Sequence, residues 1–310
     1  MRKMWIGAGL LLLICFPFFV HDLYIVRIAV IAGIYAILAL SLGLIVGKIR
    51  LVSAGHAAFF GIGAYTSAIL TTRLELPFLA GFAAAAVLAG FIGYLLAFPI
   101  LRLKGHYLAM ATLAFGIIVQ MVMLNWEGLT NGPNGIPGIP FASLFGYVLD
   151  SDRKMYGFVA FLLVALLLFL RRLYQSSLGR TLDYIREDEI AAQALGIRVR
   201  RYKTLGFTLS AALAGLSGSL FAHYMAFINY DSFNPMESFM VLAMVVVGGM
   251  STLLGPVLGA VLLTAIPEIL RSLADYRMLI YGLVLIIVLY FRPQGILGVR
   301  KADGKERNAE

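Results

Sequence analysis

The sequence is short of charge, of acid above all, and nearly devoid of cysteine. Only 13% of its 310 residues are charged, with 16 Asp and Glu against 25 Lys and Arg, where soluble domains carry about 25%. The apolar share is 61% and the mean hydropathy +0.91. So much apolar surface cannot hide inside one aqueous core, which excludes a water-soluble enzyme, a disordered chain and a single-span receptor. The one cysteine, Cys15, permits no intrachain disulfide and leaves the redox compartment unread. No Cys, His and carboxylate cluster has metal-ligand spacing, so no metal site is expected. Nor does a nucleophile elbow or a pair of carboxylates on one helix face occur. Gly43-Leu-Ile-Val-Gly47-Lys48 comes nearest to a phosphate loop, but it is one residue short and Ile49 replaces the required Ser or Thr. The chain is therefore read as lacking an ATPase site and a cofactor of its own. If ATP and Mg are used, a partner subunit binds them.

What the sequence has is long apolar runs. A lipid-facing helix needs about 20 such residues, so an all-α polytopic integral membrane protein with about eight to ten transmembrane helices is expected. The first run, 4–20, follows Arg2 and Lys3 like a signal peptide. Phe16-Pro17-Phe18-Phe19-Val20 stands where small cleavage-site residues belong, so a retained helix is expected. Further runs lie at 25–46, 54–72, 77–101, 107–124, 156–170, 204–228, 239–266 and 278–291. One transmembrane domain over 1–298, with a long polar segment at about 176–200, leaves 299–310 as a polar cytoplasmic tail.

Placing the N-terminus in the cytoplasm gathers 19 of the 25 Lys and Arg on one side. They sit at the N-terminus, at Lys48 and Arg50, at Arg102 and Lys104, in 171–203 and in the tail. Arg27, Arg73, Arg153, Lys154, Arg271 and Arg277 remain opposite. Lys and Arg bias sets orientation, so both termini are expected inside. A single crossing over 239–266 would carry the tail outside. Gly248-Gly249-Met250-Ser251-Thr252 and Gly255-Pro256 instead suggest a broken or re-entrant segment there.

The helix interiors read as almost free of ionisable residues, with Arg27, Arg73, Arg102, Lys104, Glu127 and Glu268 near span ends. His56, His106 and His223 read as structural or interfacial. Ion-coupled transporters usually need buried carboxylates or His chains, which weakens that class. Small residues are abundant: Gly55, Gly61 and Gly63, then Ala211, Gly215 and Gly218, then Gly255 and Gly259. They allow close helix packing, within the chain or at a subunit interface.

Two segments carry more specific information. From Leu178 to Ile197 the spacing places Leu178, Leu182, Ile185, Glu189, Ala192 and Gly196 on one face of a helix over 181–195. Arg186 lies away from it, and Ala191, Ala192 and Gly196 offer a small surface for another protein. Arg198, Arg200 and Arg201 are suited to anionic headgroups of the membrane lipid. The second segment, Asn125-Trp-Glu-Gly-Leu-Thr-Asn-Gly-Pro-Asn-Gly-Ile-Pro-Gly-Ile-Pro140, is rich in turn formers.

Glu189-Ile-Ala-Ala-Gln-Ala-Leu-Gly196 resembles the coupling loop of ABC importer permeases, with Ile190 inserted between the glutamate and the alanine pair. The 125–140 segment is similar to the branched-chain amino acid permeases. So are Ala57-Phe-Phe-Gly-Ile-Gly-Ala-Tyr65, Leu101-Arg-Leu-Lys-Gly-His-Tyr-Leu108, Val247-Gly-Gly-Met250 with Gly255-Pro256, and Phe291-Arg-Pro-Gln-Gly295. Together they span about 40–298 and resemble the LivM type of the LivH/LivM permease family.

The resemblance implies a permease subunit of an ATP-driven importer in a bacterial inner membrane, moving branched-chain amino acids. Its implied partners are a LivH-type second permease, two ATP-binding cassette subunits and a periplasmic substrate-binding protein, with no nucleic acid. It implies ATPase coupling through Ile185, Arg186, Glu189, Ala191, Ala192 and Gly196. Asn131, Pro133, Asn134 and Gly135 would shape the periplasmic mouth and, with Tyr65 and Asn125, contribute to the translocation path. Alternatives are a urea or short-amide permease subunit and an ion-coupled secondary transporter.

Overall fold

A computed structural model describes residues 22–103, 105–269, 282–283, 286–288, 290–292 and 294–298. The first apolar run with Cys15, Arg271 and Arg277, half of the 278–291 run and the tail lie outside the described residues. The described residues are mostly helical. Helix α1 (Leu23–Gly43) continues as a π-helical turn (Leu44–Ile49); α2 (His56–Arg73), α3 (Phe78–Ile100) and α4 (His106–Asn125) follow. A loop holding the single turn α5 (Glu127–Thr130) and the short strands β1 (Ile136–Pro137), β2 (Ser143–Leu144) and β3 (Tyr147–Val148) leads to α6 (Asp152–Gln175). Then come α7 (Ser177–Glu187), α8 (Glu189–Ala194), α9 (Val199–Met225), β4 (Phe227–Ile228), α10 (Pro235–Gly248) and α11 (Gly255–Ile269).

Among the described residues, five helical stretches are long and apolar enough to cross a membrane: Leu23–Ile49, Phe78–Ile100, His106–Asn125, Asp152–Gln175 and Val199–Met225. Each coincides with an expected run. The chain is thus a multi-pass membrane protein. The first and last of the five are mostly buried and form the centre; the other three keep large exposed faces. Helix α2, rich in small and hydroxylic residues, packs among α3, α9 and α4. Its approach to α9 is backbone to backbone: a Cβ on Gly63 would strike Gly215, and one on Gly218 the carbonyl of Phe60. These glycines serve packing within the chain.

Capping fixes where helices begin. Asp22 accepts from the Tyr24 amide at 2.9 Å, Ser151 caps α6, and Asn234 accepts from the Glu237 amide at 3.1 Å, with Pro235 in the first turn of α10.

The region expected to be broken is so. At 14 and 15 residues and about 1.5 Å per residue, neither α10 nor α11 alone spans the ~30 Å hydrocarbon core. Glycines 248, 255 and 259 bring the two helices into backbone contact. The chain enters and leaves this pair at one end of the bundle, although α10 itself begins part-way in, where Glu237 meets Tyr35. Tyr224, at the end of α9, donates to Asp152, where α6 starts; Glu268 of α11 accepts from Tyr24, where α1 starts. The turn between α10 and α11 lies at the other end, where Met250 meets Gly47. There the Ile296 and Leu297 amides donate to the Val247 and Gly248 carbonyls at 2.9 and 3.0 Å, covering acceptors that a helix end leaves open. The 247–250 and 291–295 motifs are therefore one packing unit.

Candidate functional site

At the Lys48 end, the segment read as one helix over 181–195 is two. Asp188 is extended (φ −150°, ψ 112°), and its carboxylate accepts from the amides of Ile190 and Ala191 at 2.8 and 3.0 Å. A short acidic side chain competes well for free amides at a helix start, so Asp188 ends α7 and caps α8. At the far end of α8, Gly196 (φ +78°) closes the turn. Its amide donates to Gln193 and that of Ile197 to Ala192, at 2.9 and 3.1 Å, the paired bonds of a Schellman stop.

Of the three small residues expected to offer a surface, Ala192 alone is turned inward. Ile185 and Ala192 are buried with Ile49, Leu182 and Val199 in a small core of their own. Glu189 is held within the chain by Lys203 at 2.5 Å. Arg186 is half-buried, while Ala191 and Gly196 are exposed. The apolar side chains that do face outward are Ile190, 81% exposed, and Leu195, 78% exposed, on and just past α8, and Tyr184 on α7.

The hairpin α7–α8 is fastened to the bundle at two points, and a third contact beside it ties α9 to α3. Lys48, in the π-turn, reaches both carboxylate oxygens of Asp183 at 2.7 Å and sits 4.5 Å from the centre of the Tyr174 ring. Lys203 ties α8 to α9. Arg200 donates to the Phe98 carbonyl at 2.8 Å and stacks on its ring at 3.9 Å. The sequence reading missed the Lys48–Asp183 pair, since nothing in the spacing joins residues 135 apart. The near phosphate loop at 43–48 is a helix end, with Gly47 pressed on Met250.

At the opposite end the 125–140 loop is tightly knit. Asn131 is left-handed (φ +63°), and its Nδ2 donates to the Gly135 carbonyl at 2.7 Å. Thr130 donates to the carbonyls of Met123 and Trp126, and Ile136 and Pro137 pair with Ile228 and Phe227. Asn125, Asn131, Pro133 and Asn134 are exposed; Gly135 is buried against Ile228. Asn125 lines a shallow apolar groove on the outer face of α4, with Met121 and Trp126. In the neighbouring loop, the hydrogen bond from Lys154 holds the Asp150 carboxyl below its usual range. Tyr65 is not part of this surface. It is buried in the bundle against Phe233, and its hydroxyl has no partner among the described residues.

Two histidines are built into the interior. The Pro140 carbonyl can only accept, so His223 Nδ1 donates to it at 2.7 Å; Nε2 then accepts from Ser67, which accepts from Ser219. Ser41 spends its proton on the Leu38 carbonyl, so His56 Nε2 donates to Ser41 at 2.7 Å. One ionisable group is an exception that the reading of almost charge-free interiors did not name. Glu237, in the first turn of α10, accepts from Tyr35 at 3.2 Å, halfway along the span Leu23–Ile49. It lies two residues ahead of the expected 239 boundary, which is why the sequence reading passed over it. No group of three or more metal-binding side chains occurs among the described residues.

Residues 24–289 match the family model described as "Branched-chain amino acid transport system / permease component". The chain is similar to the high-affinity branched-chain amino acid transport system permease protein LivM of Escherichia coli K12. The identity is 40%, over 99% of this chain and 77% of the relative. LivM of Salmonella typhimurium is 39% identical, over 100% and 78%. LivH of E. coli K12 is 27% identical, over 85% and 91%. No solved structure matches.

Proposed function

The chain belongs to the family of branched-chain amino acid transport permease components, and on that premise we propose that it is the LivM-type membrane subunit of an ATP-driven amino acid importer. The observation that carries the reading is similarity along almost the whole length to LivM relatives. The urea and secondary-transporter readings have no such support.

In this reading residues 1–298 form one permease domain that pairs with a LivH-type subunit in a bacterial inner membrane. Two ATP-binding cassette subunits bind ATP and Mg and dock on the cytoplasmic hairpin α7–α8. A periplasmic binding protein delivers solute at the 125–140 end. Docking uses the outward pair Ile190 and Leu195, flanked by Ala191 and Gly196. Ile185, Ala192 and the Glu189–Lys203 pair carry force inward. Lys48 joins the hairpin to the end of α1, whose π-turn also touches the turn between α10 and α11. A push on α8 thus reaches two interior elements through packed contacts.

The test is reconstitution. Vesicles holding the chain with its partner permease and ATPase subunits, supplied with the binding protein and ATP, should accumulate leucine, isoleucine or valine. Accumulation of urea instead, or uptake by the chain alone driven by an ion gradient, would refute the proposal.

A further inference from the structure

Among the described residues, Glu237 is a carboxylate where a membrane bundle has least use for one. Tyr35, its partner, sits halfway along a 27-residue span. Helix α10 starts inside the molecule rather than at its end. Phe233, just ahead of it, packs on the rings of Phe60 and Tyr65, and Ser238 accepts from the Ala57 amide at 3.0 Å. Three ion pairs occur among the described residues, and Glu237 is in none of them. Yet its side chain is only partly buried, between Met236 and Phe239, which are 50% and 45% exposed. A carboxyl group at this depth is not turned toward lipid; such groups face a bundle interior or a watery cavity.

We propose that Glu237 is the ammonium-binding residue of the translocation path. Its carboxylate meets the cationic group of a zwitterionic solute. Tyr35 fixes the carboxylate by its hydrogen bond, and Met236 and Phe239 offer apolar surface to an aliphatic side chain. The inference rests on the amino acid import proposed above and names the group in this chain that recognises the solute's charge. A neutral solute such as urea has no use for it.

The experiment compares Glu237→Gln with Glu237→Asp in the complete reconstituted transporter, measuring leucine uptake at saturating binding protein. Gln keeps the length and the acceptor for Tyr35 but loses the charge; Asp keeps the charge but falls short of Tyr35. Losing a charge-assisted hydrogen bond to the solute should lower uptake about tenfold or more in Glu237→Gln, with Glu237→Asp retaining the larger share. A purely structural role predicts the reverse order, Gln near normal and Asp impaired, and that order overturns the proposal. So does a Glu237→Gln chain that no longer co-purifies with the second permease, since the carboxylate would then be an interface bond. Equal uptake by all three chains would likewise sink it while leaving the amino acid import standing. A wild-type complex that imports no branched-chain amino acid would remove the functional reading and this inference together.

Discussion

His223 shows how a polar residue can be at home in a membrane bundle. Its ring is buried, lies edge-on to Phe78 at 4.8 Å, and links Ser67 to the Pro140 carbonyl. Both ring nitrogens are used, so the neutral ring leaves nothing unsatisfied. His223→Ala strands the Ser67 hydroxyl and the Pro140 carbonyl, a loss of about 1–3 kcal/mol. The thermal midpoint in detergent should fall, and the 136–140 loop should become the first site of proteolysis. Asn131 makes a second, independent prediction. Its left-handed backbone and its bond to Gly135 are separable. Asn131→Gly should keep the turn, whereas Asn131→Val should lose both features, with roughly 1–2 kcal/mol from the backbone alone. Loop protection against protease would rank wild type, Gly, then Val.

At the scale of elements, the hairpin α7–α8 separates what docks from what holds. Ile190 and Leu195 touch little of their own chain, so Ile190→Asp and Leu195→Asp should leave the thermal midpoint of the isolated chain within error. If they are the anchors of the ATPase interface, each should weaken co-purification of the ATPase subunits by about 30-fold, the scale of an interface hot spot of ~2 kcal/mol. Ala192→Asp should instead unfold the small core with Ile49 and Val199 and lower the midpoint itself. Normal ATPase retention in both surface variants would remove the docking assignment. Gly196 is a poorer probe, because its positive φ strains any other residue whatever it touches.

This hairpin also marks the limit of what could be read from sequence. The 3.6-residue spacing correctly grouped Leu182, Ile185 and Ala192, because burial follows apolar periodicity whether the burying surface is a partner or the chain itself. It could not show that the surface is Ile49 and Val199, nor that the Asp188 cap divides the helix. The long spans were legible for a simpler reason: twenty apolar residues in lipid have few alternatives to a helix. The break near 249 was legible from glycine and from charge parity. The mid-depth position of Glu237 was not, since it depends on α10 beginning inside the bundle rather than at its end.

Over the whole molecule, the structure gathers basic segments that are far apart in sequence. Lys48 binds Asp183, Lys203 binds Glu189, and Arg102 and Arg200 share the ring of Phe98. Arg73 bonds to the Gly128 carbonyl at the other end. The hairpin α10–α11 returns to the end at which the chain left α9, so it does not disturb this parity. A bundle with Lys and Arg collected at one end inserts with that end in the cytoplasm. Single cysteines placed on a Cys15→Ser background report the orientation. Glu187 and Asn134 are both exposed and lie at opposite ends, so burial cannot mimic protection at either site. In cells with a permeabilised outer membrane, an impermeant thiol reagent should label Asn134→Cys at once and Glu187→Cys only after the inner membrane is breached. The reverse order would place the hairpin in the periplasm, where no ATP-binding subunit could reach it, and coupling through α7–α8 would fall with it.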